Sequence, residues 1–426
     1  MESDEHPRMH YRTVPKTGER LSVLGFGAMR LPVKGYTIDE ERATALIHAA
    51  FDAGVNYIDT AVPYHMGTSE AFVGRVLTGT YREKVKVATK LPPWTVHSRS
   101  DMEATLTAQR SRLQTRTIDY YLLHSLNREN WDRLLGLGVM DFLDNAEAAG
   151  QIQNAGFSFH GDPDTFREIV DARNWIFCQI QYNILDEEHQ AGTAGLRYAA
   201  KKDLAVMVME PLRGGLLANA VPPAAQDAYD TAITQRSPAA HALRWVMDHP
   251  EVTVVLSGMN DEAHLEENLQ TARKALPHSL TPDETVMMAE ARDAWRRAMQ
   301  VPCTGCGYCM PCPYGVNIPD CFNLWNTHSL REEGRAAKIE YAVRLGGALG
   351  NAPGNAGLCR ACGRCMTYCP QQIPIIDALR AMQQIYEGPL WGAKRFIISH
   401  AAGMGTRILA HRAHKGRETD NAENTD

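Results

Sequence analysis

The run IDYYLLH at residues 118–124 is apolar except for Asp119 and closes on an imidazole. It does not alternate between apolar and polar positions, as a strand with one wet face would, so it reads as a strand buried on both faces. Seven more short runs of this kind can be counted along the chain: LSVLGFG (21–27), VNYID (55–59), KVKVATK (84–90), IQNAGFS (152–158), FCQIQYN (177–183), LAVMVM (204–209) and VTVVLSG (252–258). Longer segments of helical period separate them. In these segments Met102, Leu106 and Leu113 read as core-facing, as do Leu135, Val139, Phe142 and Leu143. A hairpin near Tyr11 to Leu24 precedes the series. Buried parallel strands, each followed by a helix, predict an α/β fold, a closed (β/α)8 TIM barrel.

The 426 residues are 44% hydrophobic and 22% charged, which excludes a chain disordered throughout. Lys and Arg number 44 against 50 Asp and Glu, a net charge of −6 spread along the chain, which argues against a nucleic-acid partner. No uncharged apolar run approaches the roughly 18 residues of a membrane-spanning helix. The opening MESDEHPRMHYR is polar and lacks a signal-peptide stretch, so a cytoplasmic protein is expected. Of ten cysteines only Cys178 lies in the first 302 residues, and nine fall between Cys303 and Cys369. Close triplets at fixed spacing in a reducing compartment indicate metal ligation rather than a disulfide framework. These shifts divide the chain into a barrel (1–280), a connecting helix (281–300), a small iron-sulfur domain (301–385) and a terminal helix with a disordered tail (386–426).

In a barrel of this kind the chemistry sits where the strands end. The second, third and fourth runs end in Asp59, Lys90 and His124, and Tyr64 follows five residues after Asp59. A phenol is a poor acid at neutral pH, but an adjacent ammonium stabilises its phenolate. Lys90 would supply that charge, Asp59 would keep the lysine placed and protonated, and His124 would orient a substrate carbonyl. Tyr64 would then protonate the carbonyl oxygen as hydride arrives at carbon.

With NYIDTAVPYHMGTSE (56–70), ATKLP (88–92), DYYLLH (119–124) and LGFGAMR (24–30), the sequence resembles the aldo/keto reductase family over about residues 10–280. The resemblance implies an Asp, Tyr, Lys and His tetrad on Asp59, Tyr64, Lys90 and His124, and NADPH or NADH as cofactor. It also implies nicotinamide carboxamide contacts from Ser158 and Gln179. HLEEN (264–268) matches the adenosine-binding segment, with Glu267 and Asn268 in the adenine positions, and EPLRGGLL (210–217) matches the loop over the pyrophosphate. Three departures from the family pattern involve four residues. Phe159 replaces an asparagine, Met209 replaces an aromatic that stacks on the nicotinamide, and Gly258 and His264 stand where basic residues usually meet a 2′-phosphate.

Cys359, Cys362, Cys365 and Cys369 with Pro370 give C-x2-C-x2-C-x3-C-P, the bacterial iron-sulfur spacing. Cys303, Cys306, Cys309 and Cys312 with Pro313 give a variant with a shorter last gap. Two such motifs imply two [4Fe-4S] clusters with crossed ligation, one on Cys303, Cys306, Cys309 and Cys369 and the other on Cys359, Cys362, Cys365 and Cys312. Zinc sites also use two-residue gaps, but two runs with two C-P pairs favour iron-sulfur. Cys321 reads as a core residue, with a replacement ligand for Cys312 as its alternative, and Cys178 reads as core. The 46 residues between the motifs are helix-forming, which suggests an α-helical ferredoxin architecture. With CTGCGYCMPCPYGVNIP (303–319), the chain resembles a subgroup of aldo/keto reductases carrying a C-terminal ferredoxin-like domain.

The first expectation is an NAD(P)H-linked carbonyl reductase or alcohol dehydrogenase acting on a small molecule. The second is an electron-transfer enzyme fed by a ferredoxin or other redox partner, and the third a non-enzymatic redox-sensing or partner-binding module. WTVH (94–97) and NREN with Trp131 (127–131) are candidate pocket linings. The stretch after Gly388, with Lys394, Arg395, Arg407 and Arg412, is read as a docked terminal helix in preference to one lying on an anionic membrane.

Overall fold

The computed structural model describes residues 8–35, 37–219, 221–330, 334–347 and 352–392. The side chains of residues 334–336 and everything from residue 393 onward, including the segment with Lys394, Arg395, Arg407 and Arg412, lie outside the described residues. The chain divides into two compact units between Ala294 and Trp295, within the helix Pro282–Ala298.

In the first unit eight parallel strands pair in chain order and close on themselves. They are β1 (Leu24–Gly27), β2 (Tyr57–Asp59), β3 (Lys86–Leu91), β4 (Ile118–Leu126), β5 (Ile152–Phe159), β6 (Phe177–Gln181), β7 (Ala205–Met209) and β8 (Val252–Ser257). Val255 stands opposite Leu24 and Ser257 opposite Phe26, which seals the barrel between β8 and β1. The run at 21–27 turns out to serve two structures. Arg20–Ser22 pairs antiparallel with Tyr11–Thr13, and only Leu24–Gly27 enters the barrel. Val14 and Leu21 of that hairpin pack with Tyr57, Tyr120, Phe177, Met207 and Val254, all buried. The hairpin therefore joins the core that contains strand residues of β2, β4, β6, β7 and β8.

Helices follow the strands and cover them with a second apolar layer, in which Leu106, Trp131, Phe142, Phe166, Trp175 and Leu243 are buried. Their starts are chemically marked. Asp39, Ser98, Asp162, Ser237 and Asp261 each accept a first-turn backbone N–H with their side-chain oxygen, a contribution of about 1 kcal/mol apiece. One expected core position is wrong: Leu135 is 39% exposed. The segment after β4 is two helices, Arg128–Gly136 and Val139–Ala148, separated at Gly138 with φ 75°, so the helical period does not run through it. Gly156 on β5 is required by contact, because a Cβ there would lie 2.4 Å from the Phe177 ring.

The second unit is helical. Ile318–Leu330, Gly334–Arg344 and Ile375–Tyr386 pack Ile318, Phe322, Trp325, Tyr341, Leu379 and Met382 into one core. Glu387 accepts from the Tyr341 hydroxyl (2.7 Å), the Asn355 amide (3.0 Å) and the Gly357 N–H (2.7 Å). The end of the helix Ile375–Tyr386 is thereby tied to the segment that leads into Cys359. Among the described residues no helix is long and apolar enough to cross a membrane.

Candidate active site and metal centres

The barrel brings Asp59, Tyr64, Lys90 and His124 together. Asp59 is the last residue of β2 and pairs across to Ala88 on β3, two residues before Lys90. Alternation along β3 then turns Lys90 the same way as Ala88. Lys90 Nζ donates to Asp59 Oδ1 (2.5 Å), the Thr60 carbonyl (2.9 Å) and the Tyr64 hydroxyl (3.3 Å). Asp59 and Lys90 are 2% and 1% exposed, so the pair is out of water. Burial raises the Asp59 carboxyl and lowers the Lys90 ammonium, and each partner's charge opposes the shift of the other. Just past Tyr64 the backbone turns through three left-handed residues, His65 (φ 49°), Met66 (φ 53°) and Gly67 (φ 90°). Two of these are not glycine, a local strain of the kind found at functional sites.

His124 is not the end of its strand. β4 continues to Leu126, and a bulge lies between Leu123 and Leu126, which pair with Phe157 and Phe159. Ser125 inside the bulge has φ 53° and donates its N–H to Ser158 Oγ at 2.7 Å. The bulge redirects the chain at the rim. The His124 ring lies 6.4 Å from that of Tyr64 and 5.1 Å from that of Trp94. Burial, then the Lys90 charge, holds His124 well below the ordinary histidine range, so its ring is neutral.

Ser158 on β5 and Gln179 on β6 are register partners, 1% and 2% exposed. Gln179 Oε1 is buried with no hydrogen-bond partner among the described residues, an open acceptor beside Asp59 that suits an amide donor from a ligand. Phe159 turns outward and packs edge-on against Phe166 at 5.0 Å, so its replacement of the family asparagine fills the outer layer. The next residue, His160, bonds Gln190 at 3.1 Å and is held to about 4 by burial. Glu267 is half-buried, but Asn268 is buried with its amide donating to Ser257 Oγ at 2.8 Å, which commits that group to the protein. Gly258 lies against Arg30, since a Cβ there would sit 3.2 Å from that of Arg30. The loop 210–217 begins with Glu210 and Arg213 in left-handed conformation. Arg213 pairs with Asp186 at 3.1 Å, and Asp186 also receives Gln181 (2.7 Å) and Asn183 (2.8 Å). Trp131, a candidate pocket residue, is fully buried against Trp175, and Asn127 caps its helix. Helix initiation accounts for that stretch better than ligand contact does.

Glu70, to which the sequence alone assigns no role, is the second half of this site's support. It is 1% exposed and accepts from Thr89 Oγ1 (2.6 Å), Gln109 Nε2 (2.9 Å) and Arg112 Nε (2.7 Å). Gln109 also donates to the Lys90 carbonyl at 2.9 Å, so the network fixes the backbone that carries the lysine. Its only sequence signal was the acid closing the TSE triplet.

In the second unit the thiols fall into two sets. The Cys309 thiol is raised by burial and then by Cys306, Cys303 and Cys369, whereas Cys365 is raised by burial and then by Cys359, Cys312 and Cys362. Each set thus takes one cysteine from the other segment. The segments repeat one conformation: Gly305 and Ala361 have φ 67° and 54°, and Gly307 and Gly363 have φ 79° and 80°. In both, the N–H two residues after the first cysteine donates to that sulfur, Gly305 to Cys303 and Ala361 to Cys359, each at 3.4 Å. Two groups of four thiols with such donors fit a pair of iron-sulfur clusters. Cys321 is fully buried and donates its thiol to the Gly354 carbonyl at 3.5 Å, and Cys178 is fully buried in β6.

A family model described as "Aldo/keto reductase family" matches residues 23–283, and one described as "4Fe-4S dicluster domain" matches residues 302–374. Among curated proteins, the chain is 27% identical over 251 residues to the methylglyoxal reductase YeaE of Escherichia coli, covering 54% of this chain and 82% of that protein. It is 27% identical over 283 residues to a 6-dehydroglucose reductase of Novosphingobium aromaticivorans, covering 62% of this chain and 90% of the relative. Among solved structures, the holo form of an aldo-keto reductase from Bacillus halodurans aligns with TM-score 0.56 and 25% identity, over 67% of this chain and 96% of the other.

Proposed function

The chain belongs to the aldo/keto reductase family and is an oxidoreductase with a 4Fe-4S dicluster domain C-terminal to its barrel; from that premise we propose that it interconverts a small carbonyl compound and its alcohol at the C-terminal rim. The observation that carries this reading is the Lys90 ammonium bonded at once to Asp59 and to the Tyr64 hydroxyl. A bound nicotinamide dinucleotide supplies the hydride. Tyr64 gives its phenolic proton to the substrate oxygen as charge develops there, and Lys90 stabilises the phenolate left behind. Asp59 keeps the ammonium in place and charged against the effect of burial. His124, neutral beside a cation, donates a ring N–H to the same oxygen and orients it.

Ser158 and Gln179 would hold the carboxamide, with Gln179 offering its open buried acceptor. Asn268 is engaged with Ser257, so Glu267 would be left for the adenine edge, and Arg30, whose side chain starts beside Gly258, would supply the positive charge that the family places on this segment. Asp186 shapes the loop carrying Arg213. Relatives named for reduction of methylglyoxal and 6-dehydroglucose support a small polar carbonyl as substrate. Cys303, Cys306, Cys309 and Cys369 would bind one [4Fe-4S] cluster, and Cys359, Cys362, Cys365 and Cys312 the other.

Anaerobically purified protein should oxidise NADPH or NADH with small aldehydes, and Tyr64→Phe should lower kcat by about 10²–10⁴-fold. Unchanged turnover in that variant would remove Tyr64 from its role. The eight thiols favour a second reading, since hydride transfer has no use for them: two successive one-electron transfers from a reduced carrier, with two protons taken up from solvent, would reduce the barrel substrate. Turnover with reduced ferredoxin and no nicotinamide would support it.

A further inference from the structure

The two cysteine-bearing segments differ in charge. Residues 298–319 contain no charged side chain, and residues 352–376 contain two, Arg360 and Arg364, with no acid. Both arginines are exposed, and neither makes an ion pair among the described residues. They line one cleft together with Tyr314, Cys312, Cys359, Cys362 and Cys365, so both stand at the mouth of the second thiol set. Cys362 is itself exposed, whereas no cysteine of the first set is. Tyr314 is 47% exposed and Tyr368 48%. Arg364 and Tyr368 are four residues apart at the short helix Arg364–Thr367 and share a face. The result is a small surface with two guanidinium groups that form no ion pair among the described residues, two half-exposed phenols and the exposed thiol of Cys362 between them.

We propose that this surface docks an acidic one-electron carrier protein, and that electrons enter or leave the second unit through the cysteine set of Cys312, Cys359, Cys362 and Cys365. Arginine and tyrosine are the side chains enriched in the energetic centre of protein interfaces. Charge complementarity commits the occupant: two exposed guanidinium groups, neither ion-paired among the described residues, attract an acidic face and repel a basic one. At each encounter the carrier is oxidised by one electron and the bound cluster is reduced by one, or the reverse, and no bond or proton moves. The surface rests on the reading that the second set binds an iron-sulfur cluster.

The test uses the full-length, anaerobically loaded protein, with iron, sulfide and zinc measured first. The probe is an acidic [2Fe-2S] ferredoxin, titrated by calorimetry over a range of salt concentrations, with cytochrome c as the basic control. Wild type should bind ferredoxin with an affinity that falls as salt rises, and should not bind cytochrome c. The double variant R360E/R364E should bind ferredoxin about tenfold more weakly or worse at low salt with iron content unchanged. R380E, on an exposed arginine paired with Asp377, should bind as wild type does. Equal affinity of wild type and R360E/R364E at equal iron content would overturn the proposal. So would equal weakening by R380E, or the absence of binding by fully loaded wild type. Zinc in place of iron would instead overturn the cluster reading, and this surface with it.

Discussion

Replacing Asp59 by Asn tests the central ion pair from one side. In the native site both partners are almost fully buried and 2.5 Å apart. Asparagine keeps the shape but leaves Lys90 with only the Thr60 carbonyl and the Tyr64 hydroxyl. Burial already lowers the Lys90 ammonium and Asp59 opposes that shift, so the variant lysine becomes neutral more readily. Breaking a buried pair from one side costs about 3–5 kcal/mol. At roughly 2 °C per kcal/mol for a unit of this size, Tm falls by about 6–10 °C. Turnover falls as well, by about 10²–10³-fold, because the Tyr64 phenolate loses its cation. Lys90→Met breaks the pair from the other side at similar cost. The double variant D59N/K90M no longer buries a lone charge and should recover about 2–3 kcal/mol relative to the sum of the singles. Its turnover should be no worse than that of the poorer single, since the groups act as a unit. Thermal unfolding and steady-state kinetics on the four proteins read both quantities. Additive destabilisation across the cycle would refute the claim that the two side chains stabilise each other's charge.

Glu70→Gln should destabilise the barrel by about 2 kcal/mol, because it removes the negative partner of Arg112 and turns one acceptor into an NH2 that must face either the Arg112 guanidinium or the donors of Gln109 and Thr89; an unchanged denaturant midpoint would contradict this. His160 titrates near 4 in the folded chain against an ordinary 6.5, with burial as the main cause. A depressed histidine contributes its stability above the unfolded value, and that contribution is lost as pH falls. Stability should therefore decline between pH 6.5 and about 4, approaching about 1.4 kcal/mol per pH unit, and His160→Gln should flatten this limb in unfolding curves taken across the range. Cys312→Ser should lose about half the iron, four of eight atoms, while Cys321→Ser should keep its full content; iron and sulfide assays on the two variants decide it, and the reverse pattern would make Cys321 the ligand.

The barrel was legible because a strand buried on both faces writes itself as an unbroken apolar run, and eight such runs leave few alternatives. The tetrad was legible for a related reason: a charged or titratable residue closing such a run has nowhere to go but the rim. The cysteine sets were legible because a two-residue gap is a metric in itself. What escaped depends on pairs of segments distant in sequence. The bulge that sets His124 exists only between β4 and β5, and IDYYLLHSL alone cannot reveal it. Phe159 looked like a defect in a cofactor contact, but strand alternation turns it to the helix layer. Asn268 looked like a ligand contact until its amide was seen to belong to Ser257, and Leu135 looked buried because a helix break at Gly138 resets the period.

Among the described residues, two ion pairs have both partners buried: Asp59 with Lys90, side chains 3% and 1% exposed, and Asp186 with Arg213, 6% and 2%. Neither is a cheap way to stabilise a fold, since desolvation cancels much of the attraction and an apolar pair of the same volume would serve as well. Both nevertheless follow the C-terminal ends of strands, one at β2 and β3, the other in the loops after β6 and β7. Each comes with extra hydrogen-bond partners that a stability role would not require: the Thr60 carbonyl and the Tyr64 hydroxyl accepting from Lys90, and the Gln181 and Asn183 amides donating to Asp186. A charge fixed this way needs no reorganisation when charge develops or arrives beside it, which is the property an active site requires and a core does not. The placement of the two pairs, with Val14 and Leu21 of the hairpin adding only apolar packing to the barrel core, therefore favours the proposed rim as the working face on electrostatic grounds. It also predicts that substitutions at Asp186 will disturb cofactor affinity through the loop at 210–217 while leaving the Tyr64 proton transfer intact: Asp186→Asn should raise the KM for the nicotinamide by about tenfold with kcat nearly unchanged, and a fall in kcat alone would show that the loop does not touch the cofactor.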